Sequence, residues 1–255
     1  THCISSAASD VYKRQDMKRT MIVVVVALMP ALLFGMYNTG YQVGMTGWAA
    51  FWFGFLKVLP MIVVSYVVGL GIEFFFAQKR GHEVNEGFLV SGLLIPMIMP
   101  VGTPLWMIAL GTAFAVIFGK EVFGGTGMNV FNPALVARAF VFFAYTPFIS
   151  GEKVWFADDA VSGATALEQL ATSGTMSYST ADAFLGFIPG CVGETSTLAI
   201  LIGAAILLFT GVASWRTMSF VFIGGLAMGY FFQALGVTTS VSYTHLRAHE
   251  TRHDL

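Results

Sequence analysis

Between Met21 and Ala234 the chain is a succession of apolar runs, broken mostly by glycine and proline rather than by charge. Crossing the hydrocarbon core of a bilayer takes about 20 mostly apolar residues. Inside that core every backbone polar group must be satisfied within the protein, which for runs like these means helices. Met21 to Tyr37 is a first span, preceded by Lys18 and Arg19. A second runs from about Trp48 to Ala77, holds Pro60 as an expected kink, and ends at the basic Lys79-Arg80-Gly81-His82. Phe88 to Pro100 is only about half a span and contains Pro96. Pro104 to Phe118 follows, with proline placed for a helix start. Asn132 to Tyr145 is a further short run, and Thr197 to Thr210 and Met218 to Ala234 complete the set, parted by Ser214-Trp215-Arg216. The expected fold is all-α: a polytopic membrane helical bundle with broken or re-entrant half-helices.

Composition agrees with that class. Hydrophobic residues make up 56% of the chain and charged residues 11%, with a mean hydropathy of +0.75. A soluble domain carries about a quarter charged residues, so lipid is the expected solvent. The net charge of −1 includes no basic stripe, and no nucleic-acid partner is expected. The cysteines, Cys3 and Cys191, make neither a disulfide framework nor a metal box, and no bound metal is expected. Cys191 reads as a small apolar residue.

Both ends read as foreign. Residues 1–15 and 241–255 resemble translated sequencing-adapter read-through, and such segments are set aside before fold reasoning. His245, His249 and His253 leave with the tail, so its histidine-rich look is discounted as a metal tract. The membrane domain is expected to occupy 16–240, truncated at both ends.

Cytoplasmic loops carry the excess of Lys and Arg. With Lys18 and Arg19 inside, the uncharged loop from Asn38 to Gly47 is outside and Lys79-Arg80 returns inside. The half-span pair goes out and back, leaving Lys120 inside; the helix from Asn132 crosses outward and the next returns Arg216. The loop from about Thr146 to Thr195 is thereby expected outside.

That loop carries Asp159-Ala160-Val161-Ser162-Gly163-Ala164-Thr165, one threonine hydroxyl among small residues. A second motif is GKEVFGGTGMNVFNPAL, Gly119 to Leu135. Its glycines allow positive φ and close backbone approach, and Asn132 is placed as an N-cap with Pro133 at the first helical position. A half-helix terminus of this kind suits a polar or anionic group; a hairpin that only shapes packing is the plainer alternative.

Gly81 to Phe88 (GHEVNEGF), the glycine loop, the DAVSGAT motif and Ile188 to Leu198 (IPGCVGETSTL) occur in this order. Together they resemble the NqrB/RnfD family, and within it the B-type members found in sodium-translocating NADH:quinone oxidoreductases, over essentially all of 16–240. The D-type member of the Rnf complex is similar but typically has Gly-x-Asn-Pro-Phe-Asn-Pro in the loop, so Met128 to Pro133 and HEVNEGF favour the B-type. The resemblance implies a urea-transporter-like fold in a bacterial inner membrane, with the Thr165 loop periplasmic. It implies covalent FMN joined through its phosphate to Thr165, with Asp159, Ser162, Gly163 and Ala164 as the motif read by a flavin transferase. It also implies a noncovalent riboflavin contacted by Asn129 and Asn132, whose amides supply donors and acceptors, although Asn132 also reads as a plain helix cap. Implied further are ubiquinone as substrate, partner Nqr subunits and sodium as cargo. Electrons would pass by way of riboflavin toward quinone.

Acids at membrane depth are costly and usually functional. Glu73 falls near the end of the second span, where the resemblance implies a cation-pathway acid, with Gly69 and Gly71 in the quinone and inhibitor region. An interfacial Glu73 paired with Lys79 or Arg80 is the alternative. Glu121 and Glu194 lie at helix ends, Glu194 where it would favour a helix N-terminus, and His82 reads as a loop residue. Other function classes remain open: an Rnf D-type protein, a channel or transporter with sites at half-helix ends and no redox role, or a purely structural anchor.

Overall fold

The computed structural model describes residues 2–80, 87–125, 129–149 and 179–234. Every regular element among them is helical. In chain order they are α1 (His2–Gln42), α2 (Gly47–Arg80), α3 (Phe88–Ile98), α4 (Leu105–Gly119), α5 (Pro133–Ala144), the single turn α6 (Thr146–Ile149), α7 (Thr180–Leu185), α8 (Thr197–Phe209) and α9 (Trp215–Ala234). A 3₁₀ turn, Glu121–Phe123, follows α4. The segment expected to be foreign at the start is carried as the N-terminal continuation of α1.

Lys18–Gln42, Gly47–Lys79 and Leu105–Phe123 are long and apolar enough to cross a membrane; Phe88–Ile98, Pro133–Ala144 and Thr197–Phe209 are shorter apolar helices. The short runs are therefore true half-length helices, as their spacing between prolines and glycines requires. Pro30 lies inside α1 and Pro60 inside α2 without ending either helix.

α1 and α2 pack along one another, α2 also holds α3 and α4, α4 holds α5, and α8 lies on α1. Glycines let the backbones touch. A Cβ on Gly54 would sit 1.8 Å from the Met36 carbonyl oxygen, and one on Gly203 2.3 Å from that of Ala27. Such small-residue approach is how helices associate where water supplies no hydrophobic drive. One buried cluster joins Met61 of α2 to Ile95, Met107, Ile108, Ala137 and Val141 of the α3–α5 layer. Another joins Leu32 and Met36 of α1 to Val58, Leu93, Met97 and Val192. The outward faces are as apolar as the core, with Phe209, Phe220, Phe222 and Tyr230 exposed, a pattern that suits a lipid solvent rather than water.

Three of the shorter helices start at a side-chain cap. The Asn132 side-chain carbonyl accepts from Ala134 N–H at 2.9 Å with Pro133 at the first helical position, the arrangement expected from the sequence. Ser196 accepts from Ala199 N–H at 3.2 Å to start α8, and Ser179 caps α7.

Candidate functional site

Thr165 and its motif residues Asp159, Ser162, Gly163 and Ala164 lie outside the described residues, as does His82 with the rest of 81–86. The site that can be built from structure is the meeting of the α2 C-terminal half, the start of α3 and the glycine loop after α4.

The loop begins at Lys120, where α4 gives way to the Glu121–Phe123 turn. Gly124 and Gly125 follow at φ 116° and 97°, a left-handed pair that residues with a Cβ rarely adopt. Gly125 N–H returns to the Lys120 carbonyl at 3.1 Å. This tight reversal turns Lys120 and Glu121 inward, where both are buried, and Val122 and Phe123 outward.

After the turn, Asn129, Val130, Phe131 and Asn132 are exposed. The Asn129 amide nitrogen donates to the Phe131 carbonyl at 3.2 Å, leaving its side-chain carbonyl as an acceptor. Asn132 spends its carbonyl on the α5 cap, leaving its amide as a donor. The Phe123 and Phe131 rings meet edge to face at 6.3 Å. An acceptor, a donor and two accessible rings on one loop fit the polar edge and apolar face of a flavin ring. Asn132 is thus a cap with a donor remaining, so the two sequence readings of it are compatible.

Glu73 is buried and its carboxylate accepts from the Lys120 ammonium in an ion pair between α2 and the end of α4. Its partner is thus far away in sequence rather than Lys79, which is exposed; the Arg80 side chain lies outside the described residues. Gly69 lies one helical turn before Glu73 on the same buried face; Gly71 lies on the exposed face. The two glycines therefore do not form one surface. Gly69 is the notch for the fully buried Phe88 ring, since a Cβ there would lie 1.9 Å from its Cζ. Tyr66 meets the same ring edge on at 6.2 Å and its hydroxyl donates to the Leu89 carbonyl at 2.5 Å. Gly69→Ala is expected to push Phe88 out of its seat and cost about 1–3 kcal/mol, read as a lowered Tm in detergent. Gly71→Ala, with no heavy atom near its added methyl, is the unperturbed comparison.

A second polar junction was not visible in sequence. Arg138, on α5, donates to the Ile98 carbonyl at the end of α3 and to the Cys191 sulfur at 3.2 Å. Gly193 N–H adds a 2.8 Å bond to the Met97 carbonyl. Cys191 is buried as expected, but against this guanidinium rather than only among apolar groups. Burial first, and then the charge of Glu194, push its thiol up to about 12 against the opposing pull of Arg138. Glu194 itself is exposed just ahead of the Ser196 cap. Lys120, used in sequence reasoning only to mark a side of the membrane, and Arg138, passed over there, share one findable signal: a cation adjoining or inside an apolar helix needs a partner.

A profile described as the NQR2, RnfD, RnfE family matches residues 4–249. Among curated relatives, the B-type component of the Na(+)-translocating NADH-quinone reductase of Chromohalobacter salexigens is 48% identical over 87% of this chain and 61% of its own length. Proteins of the same name are 43% identical in Pseudomonas paraeruginosa, over 88% of this chain and 64% of the relative, and 42% in Yersinia pestis, over 93% and 68%. The chain spans a little under two thirds of the length of the first two of these relatives.

Proposed function

Because this chain belongs to the NQR2, RnfD, RnfE family, we propose that it is the membrane subunit of a sodium-translocating NADH:ubiquinone reductase, carrying FMN on Thr165 and a noncovalent riboflavin at the Asn129–Asn132 loop. The observation that carries this reading is 48% identity over 87% of the chain to a relative of that name. The exposed donor, acceptor and rings of the glycine loop support the riboflavin assignment. Bound flavins would supply one-electron transfer toward quinone; the protein's part is to hold them and tune their surroundings.

On this reading the residues divide the work. Thr165 tethers, with Asp159, Ser162, Gly163 and Ala164 as the sequence a flavin transferase reads. Asn129 and Asn132 orient a ring edge, and Glu73 offers a carboxylate to sodium from inside α2. Gly69 seats the buried Phe88 ring in the proposed quinone and inhibitor region, with Gly71 on the outer face of the same helix. On this reading the protein works with other Nqr subunits in a bacterial inner membrane, with the Thr165 loop periplasmic, an orientation that the Lys and Arg distribution supports.

The test is to co-express the full-length protein with a flavin transferase and its partner subunits. The expected result is an in-gel fluorescent band at the position of this polypeptide and sodium-stimulated quinone reduction in membranes. A wild-type protein with no fluorescent band would favour a transporter of similar architecture without redox chemistry.

A further inference from the structure

Glu73 is a carboxylate buried within a long apolar helix and answered by a cation from another helix. The Lys120 ammonium has a second neighbour, the Phe88 ring, at 6.0 Å from its centroid. That ring is held in place by the Gly69 notch and by Tyr66. The ammonium thus lies within reach of both a carboxylate and the negative face of a phenyl ring. Lys120 also sits just past the last turn of α4, where its carbonyl accepts from Gly125 N–H in the reversal made with the left-handed Gly124 and Gly125. In so dry an ion pair desolvation cancels much of the Coulomb attraction. A small hard cation that takes oxygen ligands can compete with the ammonium for that carboxylate.

We propose that Lys120 is an exchangeable counter-ion of Glu73: sodium takes the carboxylate only as the Lys120 ammonium leaves it for the face of Phe88. This rests on the redox-pump reading above for the identity of the cation. Glu73 stays ionised throughout, and because the tethered ammonium stays beside Phe88, the site holds one more positive charge with sodium bound than without. The exchange also gives the glycine loop a stake in cation binding, because Lys120 begins the loop that ends in Asn129 and Asn132.

The experiment measures quinone reduction against sodium concentration in the assembled, full-length complex. Lys120→Met removes the resident competitor, and the half-saturating sodium concentration is expected to fall about fivefold to tenfold with a smaller change in maximal rate. Lys120→Arg replaces a point charge by a fork that grips carboxylates bidentately, and half-saturation is expected to rise. Should Lys120→Met fail to assemble, the Lys120→Arg shift decides alone. An unchanged half-saturation in Lys120→Arg, or a change confined to the maximal rate in either variant, overturns the proposal. A wild-type complex indifferent to sodium instead sinks the redox-pump reading, independently of Lys120.

Discussion

On the proposed reading, Thr165→Ala is expected to abolish the covalent flavin of the full-length protein, with the in-gel fluorescent band lost entirely while the polypeptide remains at wild-type abundance. The reason is chemical. A phosphodiester to the chain needs a side-chain hydroxyl, and alanine has none. Thr165→Ser keeps the hydroxyl and is expected to keep part of the band, whereas Ser162→Ala removes a hydroxyl from the motif but not from the attachment point. A band that survives in Thr165→Ala would place the flavin elsewhere. Loss of the polypeptide together with the band would instead mark a folding defect, which an unchanged elution profile in detergent excludes.

The second large effect concerns the Glu73–Lys120 pair. Both side chains are buried, at 4% and 5% exposure, so solvent screens them little. Glu73→Ala leaves an ammonium uncompensated in an apolar layer, and removing one partner of such a pair costs about 3–5 kcal/mol. The expected outcome is a strongly lowered Tm in detergent and poor recovery from membranes. Replacing both groups by apolar residues, Glu73→Leu with Lys120→Met, is expected to restore most of that stability, because the desolvation penalty disappears along with the attraction. A double variant as unstable as Glu73→Ala would mean that the carboxylate matters for packing rather than for charge.

The helices themselves were legible because their cause is local. Pro133 behind Asn132, the Pro96–Pro104 interval and the long apolar runs state where a helix starts, stops or is too short to span, and the observed bounds follow them closely from α2 to α5, whereas α1 extends well beyond Met21 to Tyr37 at both ends. The partner of Glu73 was not legible, since the two residues meet only through the packing of α2 on α4. Lys79 looked nearer, yet it lies about 240° around the helix from Glu73 at ~100° per residue, on an exposed face. Gly69 and Gly71 read as one region in sequence for the converse reason: two residues apart on a helix point to different sides, and only Gly69 meets Phe88. Arg138 escaped notice because its acceptors are a backbone carbonyl and a cysteine sulfur, neither of which a side-chain charge pattern reveals.

That same arginine has a consequence for how this bundle tolerates interrupted helices. The last carbonyls of any helix lack partners in their own ladder and carry the negative end of the helix dipole. Where α3 stops, Arg138 places a guanidinium on the Ile98 carbonyl, while Gly193 donates to Met97. Part of the hydrogen-bonding deficit and part of the dipole are thereby met by groups that belong to the fold. A membrane with a potential across it penalises any stray path for charge. Here the end of α3 is held from within, and the Arg138 guanidinium fastens α5 and the Cys191 bend to it as one joint.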